Sequence, residues 1–449
     1  MSLKKVRSSP DLPVESHAGS ESSAFRFPRD TNDHPKLWDL SNLPILLTSN
    51  CFMMPTRFVR LTRLACLAGF PLLTAAALSP LSAQVPNAES TTDSADTVDT
   101  ANLYHFNGQG KVCPRIVSLV EKTGGRVDWG GNNQIAFDQF DTNSKHFQAW
   151  IMNADGSSPR AVTSLNSTLA QNDAGNPAWH PSGNYLVVQA ADIAPPPWSS
   201  LKPDIYRRAI NPGLGFNNDL WITSIDASHA AALTHLDTGH GVLNPHFSRS
   251  GDYLLWSEMV EGHPQKWVMR LAKFRVDSDG PHLTDIKTLD PLNNAFYGAD
   301  DFSPDDKQIL FSTTKDAADT THRSIVRMDL ATGKTKYLTD AGDVEWNENA
   351  HYSPDGTKIL WTSSRGIEQK PDRKVNRTDV WIMRADGSDP ERLTFFNQPG
   401  TPEFRHAFNV VGDLSWSPDA KWFAAFLISR IKGQAPDDFT GSILRVTLP

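Results

Sequence analysis

Cysteine is scarce in this chain: three in 449 residues, at Cys51, Cys66 and Cys113. Cys51 and Cys66 fall in a segment expected to be removed, so the mature chain keeps one thiol. That excludes an intrachain disulfide framework and every cysteine-based zinc spacing. Cys66 follows no apolar run, so a lipid anchor there is not expected. No glycine-rich phosphate loop occurs, which argues against nucleotide chemistry of the P-loop or dinucleotide type. A G-x-S-x-G elbow is also missing, which sets aside serine peptidases that need an α/β-hydrolase domain. Basic charge is in deficit. The chain carries a formal −8, and with nine basic and six acidic side chains in residues 1–83 the remainder carries −11. Nucleic acid is a poor partner for such a surface.

Long apolar runs are absent except for one. Arg57, Arg60 and Arg63 precede an apolar stretch from Leu64 to Leu78, followed by Leu81-Ser82-Ala83. This is a secretory signal pattern with a small-residue cleavage site, too short and proline-interrupted for a stable span. Met53 and Met54 stand just before the basic residues, so residues 1–52 read as an over-long start or a tail, and 53–83 as the signal peptide. The stretch Glu89 to Thr100 is acidic and polar with almost no large apolar group. It assigns residues 84–112 to a disordered linker. The mature protein is therefore expected to begin near Gln84 and to be exported, periplasmic or extracellular, without a membrane span.

What is present is a repeat. The stretch Tyr352-Ser-Pro-Asp-Gly356 followed by Lys358-Ile-Leu-Trp-Thr362 is a turn between strands: proline pre-sets φ, aspartate suits the next position, and glycine accepts the left-handed conformation that closes a hairpin. One hairpin cannot bury its apolar face alone. Copies stand at Trp129-Gly-Gly-Asn-Asn133, Trp179-His-Pro-Ser-Gly183, Phe247-Ser-Arg-Ser-Gly251, Phe302-Ser-Pro-Asp-Asp306 and Trp416-Ser-Pro-Asp-Ala420, spaced 50, 68, 55, 50 and 64 residues apart. Third strands resemble Asp379-Val-Trp-Ile-Met-Arg384, and fourth strands end in Val162-Thr163, Leu233-Thr234, Leu283-Thr284, Leu338-Thr339 and Leu393-Thr394. Such a period suits four-stranded blades with variable loops.

The sixth unit lacks a fourth strand before the chain ends at Pro449, yet Pro114-Arg-Ile-Val-Ser118 matches the fourth-strand segment Pro159-Arg-Ala-Val-Thr163. The fold expected is all-β: a six-bladed β-propeller over residues 113–449, closed by an N-terminal strand that completes the last blade. These motifs resemble the TolB-type propeller repeat, an aromatic followed by S-P-D-G, a strand like W-x-M-x-x-D-G, and L-T. Where TolB carries an α/β domain before its propeller, this sequence offers a short polar stretch.

The resemblance licenses no activity by itself. Long insertions, Ala191–Asn218 with Trp198 in a proline-rich loop and Arg365–Arg377, fall on the face where the first strand of each blade begins. The inter-blade segments Thr234–Asn244 and Phe395–Gly412 share that face. Loop elaboration on a rigid scaffold marks a binding surface. Candidate contacts there are His240, His246, Asp301, Glu348, His351, His406 and Trp198, with Asp300 and Glu345 nearby. His246 and His351 occupy equivalent positions, each immediately before the turn aromatic. Asp128, Ala178, Asp301 and Ser415 fill that position elsewhere. Two functions follow. The first is an exported non-enzymatic scaffold that presents a looped face to a protein or glycan. The second is a metal-assisted lyase resembling the oligogalacturonate lyases, in which His246, His351 and His406 would converge on a divalent metal. No other cofactor is indicated.

Overall fold

The computed structural model describes residues 104–106, 112–114, 116–120, 123–191, 206–207, 209–262, 265–314, 322–339, 345–369, 376–404, 408–430 and 440–448. Six four-stranded antiparallel sheets make six blades. Their inner strands are Gly124–Trp129, Asp173–Trp179, Gly241–Phe247, Tyr297–Phe302, Asn347–Tyr352 and Phe408–Trp416. Each inner strand contacts the next, and the sixth contacts the first, so the ring is closed.

Closure runs as the sequence implies. Ile116–Val120 pairs antiparallel with Thr440–Thr447, with Ile116 opposite Val446 and Val120 opposite Ile443, making it the outer strand of blade 6. The segment assigned to a linker does contain structure at its end, because Tyr104–Phe106 pairs with Val112–Pro114 in a separate two-stranded ribbon. The proposed signal peptide and residues 1–52 lie outside the described residues.

The repeat motifs have distinct jobs. In the Ser-Pro-Asp turns the serine hydroxyl donates to the aspartate two residues on, at 2.7 Å for Ser303–Asp305, 2.6 Å for Ser353–Asp355 and 2.7 Å for Ser417–Asp419. The same hydroxyl accepts the amide that starts the next strand. The final turn residue is left-handed at Gly356, φ 71°, and also at Asp306 and Ala420, φ 57° and 58°. The preceding aromatic fills the seam between blades. Trp179 packs with Ala136, Ile151 and Val162 of blade 1, Trp416 with Leu360, Val380 and Leu393 of blade 5, and Trp129 with Ala424 and Ile443 of blade 6. Large aromatic burial at every seam is what turns six marginal sheets into one ring.

The Leu-Thr ends are explained by a clamp. Thr163, Thr234, Thr339 and Thr394 each accept, through Oγ1, the amide of Ala149, Leu220, Ile325 and Val380 at 2.9 Å. Blade 3 departs from this. Its third strand runs on to Asp277 and its fourth spans Gly280–Leu289, so Thr284 sits mid-strand opposite Lys273 rather than at an end. The alternating run Lys273-Phe-Arg-Val276 lengthens the strand as far as the Ser278-Asp-Gly280 turn.

Candidate functional site

Every inner strand carries a one-residue bulge, with Asn176, Asn244 and Asn349 left-handed in blades 2, 3 and 5. A bulge twists its strand and re-aims the residues that follow. The residue before each turn aromatic then faces the channel. Asp128, Ala178, His246, Asp301, His351 and Ser415, all six equivalents, line one cavity of about 330 Å³ together with the turn residues Gly130, Pro181, Arg249, Pro304, Pro354 and Pro418. His246 and His351, at equivalent positions in blades 3 and 5, have their rings 5.3 Å apart between centroids, edge to face.

The cavity opens at the ends of the inner strands, on the face of the Ser-Pro-Asp turns. The long loops were expected on the other face, where the strands begin. His240 stands beside Gly241 at the start of its strand, roughly 20 Å along the chain from His246 at 3.3 Å per residue, and does not line the cavity. Glu348 is also remote from it. Its carboxylate is buried between the Trp346 indole, whose Nε1 donates at 2.7 Å, and the guanidinium of Arg323. Arg323 in turn stacks between Phe296 and Trp346, with Cζ 3.7 and 4.2 Å from the ring centroids. Asp300 lies deeper, its carboxyl pushed well above the usual range by burial. Glu345 is held by Arg365 Nε at 2.8 Å. His406 and Trp198 lie outside the described residues.

Part of the looped face is occupied by the chain itself. Residues 209–217, the end of the blade 2 insertion, lie over the beginnings of the inner strands of blades 1 to 3. A Cβ at Gly213, where φ is +82°, would fall on the Arg126 guanidinium, and one at Gly215 would meet Trp267 and Leu243. The Gly213 amide donates to Gln189 Oε1 at 2.8 Å. Beneath this cover Arg126 Nη1 pairs with the buried Asp138 Oδ2 at 2.8 Å.

Three of the six inward residues are committed to holding blades together. Asp128 Oδ2 accepts the amide of Trp179 at 2.7 Å, Asp301 Oδ2 that of Tyr352 at 3.0 Å, and Ser415 Oγ that of Trp129 at 2.8 Å. Each bond reaches from one blade to the next. Ser415 Oγ also donates to Asp128 Oδ1 at 2.9 Å. Asp301 further accepts from Arg249 Nη2 at 2.8 Å and from the Phe302 amide at 2.8 Å. Burial raises the proton affinity of both carboxyls, and these donors oppose it.

The two imidazoles differ. No hydrogen bond to either ring nitrogen is made among the described residues, and His351 Nδ1 is 3.9 Å from Asp301 Oδ2, beyond bonding distance. Burial pushes both imidazoles down to about 3, helped at His351 by the Arg249 charge, so each is neutral with one donor and one acceptor. Arg249 was not anticipated as a contact. The signal was visible in Phe247-Ser-Arg-Ser-Gly251, where arginine replaces the proline of four other turns.

No family model matches the chain. Among solved structures, TolB from Acinetobacter baumannii aligns over 70% of this chain and 64% of its own, at 15% identity and a TM-score of 0.44. This chain therefore spans less than two thirds of that TolB. A putative TolB from Agrobacterium tumefaciens aligns over 65% and 95%, at 20% identity and 0.37. An oligogalacturonate lyase in complex with manganese aligns over 77% and 96%, at 10% identity and 0.43. The likeness is one of fold. The blade count rests on the six sheets themselves.

Among the described residues no group of three or more His, Cys, Asp or Glu side chains is placed to hold a metal ion. His246 and His351 supply a pair of neutral imidazoles; His406, the third of the set expected of a lyase site, lies outside the described residues. No helix among them is long and apolar enough to cross a membrane.

Proposed function

We propose that this chain is an exported, non-catalytic binding propeller whose ligand enters the channel from the turn face. One observation carries the reading. The inward carboxylates and hydroxyl that a catalyst would use are spent on bonds between blades, while His246, His351 and Arg249 keep unspent hydrogen-bonding groups facing an open cavity. A general acid or base must be free to move a proton at a substrate atom. Asp128 and Asp301 are instead acceptors in the frame. The rigidity of such a ring suits recognition, since a preorganised site loses little freedom on binding. Export rests on the Arg57–Ala83 signal pattern. It is tested by mass spectrometry of protein secreted from a bacterial host, which should begin near Gln84.

The imidazole pair also favours a second reading, metal-assisted lysis of a uronate polymer. Both readings face one experiment: mature protein is incubated with oligogalacturonate, with and without manganese, and ultraviolet absorbance of the unsaturated product is followed. Saturable binding of a protein or glycan without turnover supports the scaffold. Manganese-dependent turnover, abolished in His246→Ala, overturns it.

A further inference from the structure

The six-fold repeat offers its own control: each inward position can be compared with five equivalents. Wherever the frame needs a polar group at the turn end, it already has its partner. Both oxygens of Asp128 and both of Asp301 hold donors. What remains unspent lies on blades 3 and 5 and consists mainly of donors. The imidazoles of His246 and His351 each present one N–H. Among the described residues the Arg249 guanidinium uses only Nη2, toward Asp301, and its side chain is 44% exposed, so Nε and Nη1 face solvent and a ligand. The equivalent turn residue is proline in four blades, Pro181, Pro304, Pro354 and Pro418, so the arginine is not required by the turn. Ala178, the smallest of the inward residues, leaves room opposite.

From this arrangement we infer that the turn-face cavity binds a small organic acid, its carboxylate held by Arg249 and the imidazole N–H groups of His246 and His351. The inference rests on the binding reading above and specifies its ligand. Hydrogen bonds from a guanidinium to a carboxylate are charge-assisted and about twice as strong as neutral ones. The Asp301 carboxylate already holds Arg249 in place, so the guanidinium pays little ordering cost when a second carboxylate arrives. The titratable groups that face His246 are His351, Asp301 and Arg249, and His351 faces Arg249 and, at 3.9 Å, Asp301. The imidazoles are neutral, and the two carboxylates that line the cavity, Asp128 and Asp301, are each met by hydrogen-bond donors, Asp301 by the Arg249 guanidinium itself. A volume of about 330 Å³ sits at the lower end of small-molecule sites, roughly 300–1,000 Å³. The rim of prolines and turn backbone narrows it against a folded segment.

The test uses the secreted chain beginning near Gln84, labelled with ¹⁵N-histidine, and two probes of equal shape: succinate and its neutral diamide, succinamide. At constant pH and ionic strength, succinate should shift the His246 and His351 ring resonances saturably, and succinamide should shift them far less. Arg249→Gln should weaken succinate by about tenfold or more, as expected for a lost charged hydrogen bond, and Arg249→Lys should recover part of the loss. The acid–amide comparison on the unsubstituted protein stands even where Arg249→Gln fails to fold. Equal shifts from acid and amide overturn the carboxylate assignment and leave the cavity a binding site. Imidazoles that respond to neither probe, nor to protein or glycan ligands that bind the chain, overturn both this inference and the turn-face reading.

Discussion

Ser415→Ala is the sharpest test of whether the inward polar residues are frame or machinery. The hydroxyl accepts the Trp129 amide at 2.8 Å and donates to Asp128 Oδ1 at 2.9 Å, across the junction between the last blade and the first. The residues it joins are 286 and 287 positions apart. Removing it leaves a buried amide and one carboxylate oxygen without their partner. An unsatisfied buried neutral donor costs about 1–3 kcal/mol, and a lost bond to a charged group about 1.5–3 kcal/mol. Water entering from the cavity offsets part of the second term, so the expected loss is about 2–3 kcal/mol. For a domain of ordinary stability, ~5–15 kcal/mol, that is a large fraction. Urea denaturation should show a lower midpoint at unchanged slope. A double-mutant cycle with Asp128→Ala should give a coupling of about 0.5–3 kcal/mol. A loss below ~0.5 kcal/mol with no coupling to Asp128 would refute the clamp and return Ser415 and Asp128 to the pool of free active-site groups.

Four further outcomes follow from the same geometry. A chain beginning at Glu121 lacks the strand paired with Thr440–Thr447; it should be less stable and self-associate through the open edge, visible by size-exclusion chromatography, whereas one beginning at Ala101 should match the mature form. Thr234→Val removes the acceptor of the Leu220 amide and the donor to Asp219 Oδ1 at 2.7 Å, and should cost about 1–3 kcal/mol in chemical denaturation. Ala420→Gly relieves a left-handed alanine at φ 58° and should raise stability by about 0.5–1 kcal/mol, measured as a higher melting temperature. Acid should destabilise the fold through the imidazole pair: unfolded histidines bind protons below about 6.5, while His246 and His351, pushed down to about 3, refuse them, so stability falls as pH drops from 6.5 toward 3. Asp413, pushed up to about 7 by burial, acts in the opposite sense, keeping a proton the unfolded chain loses near 4, so its contribution fades as pH rises through 7. Replacing both histidines by glutamine should flatten the acid side of a melting-temperature profile; an unchanged profile refutes that assignment.

The architecture was legible because the turn chemistry repeats. An aromatic, a tight turn and a left-handed residue recur six times, with Ser-Pro-Asp in three of the turns, and each recurrence is a local event that sequence spacing records directly. Closure was legible for the same reason, from the likeness of Pro114–Ser118 to Pro159–Thr163. Depth along the channel was not. His240 and His246 are six residues apart and were grouped on one face, yet an extended strand carries them to opposite ends. Nor did spacing reveal that residues 209–217 fold back over Arg126 and Leu243, since that path depends on Gly213 and Gly215 meeting side chains from other blades. Arg249 escaped notice as the exception in a turn valued for its regularity.

The cover laid by residues 209–217 has a kinetic consequence. That segment lies on the starts of blades 1 to 3, and the cavity lining is set at the turn ends, so a ligand that enters at the turn face meets its binding groups directly at that mouth. Anything docked across the prolines of the rim then covers that mouth and slows the occupant's departure. A propeller built this way behaves as a socket, whose residence time can be set by what closes over it.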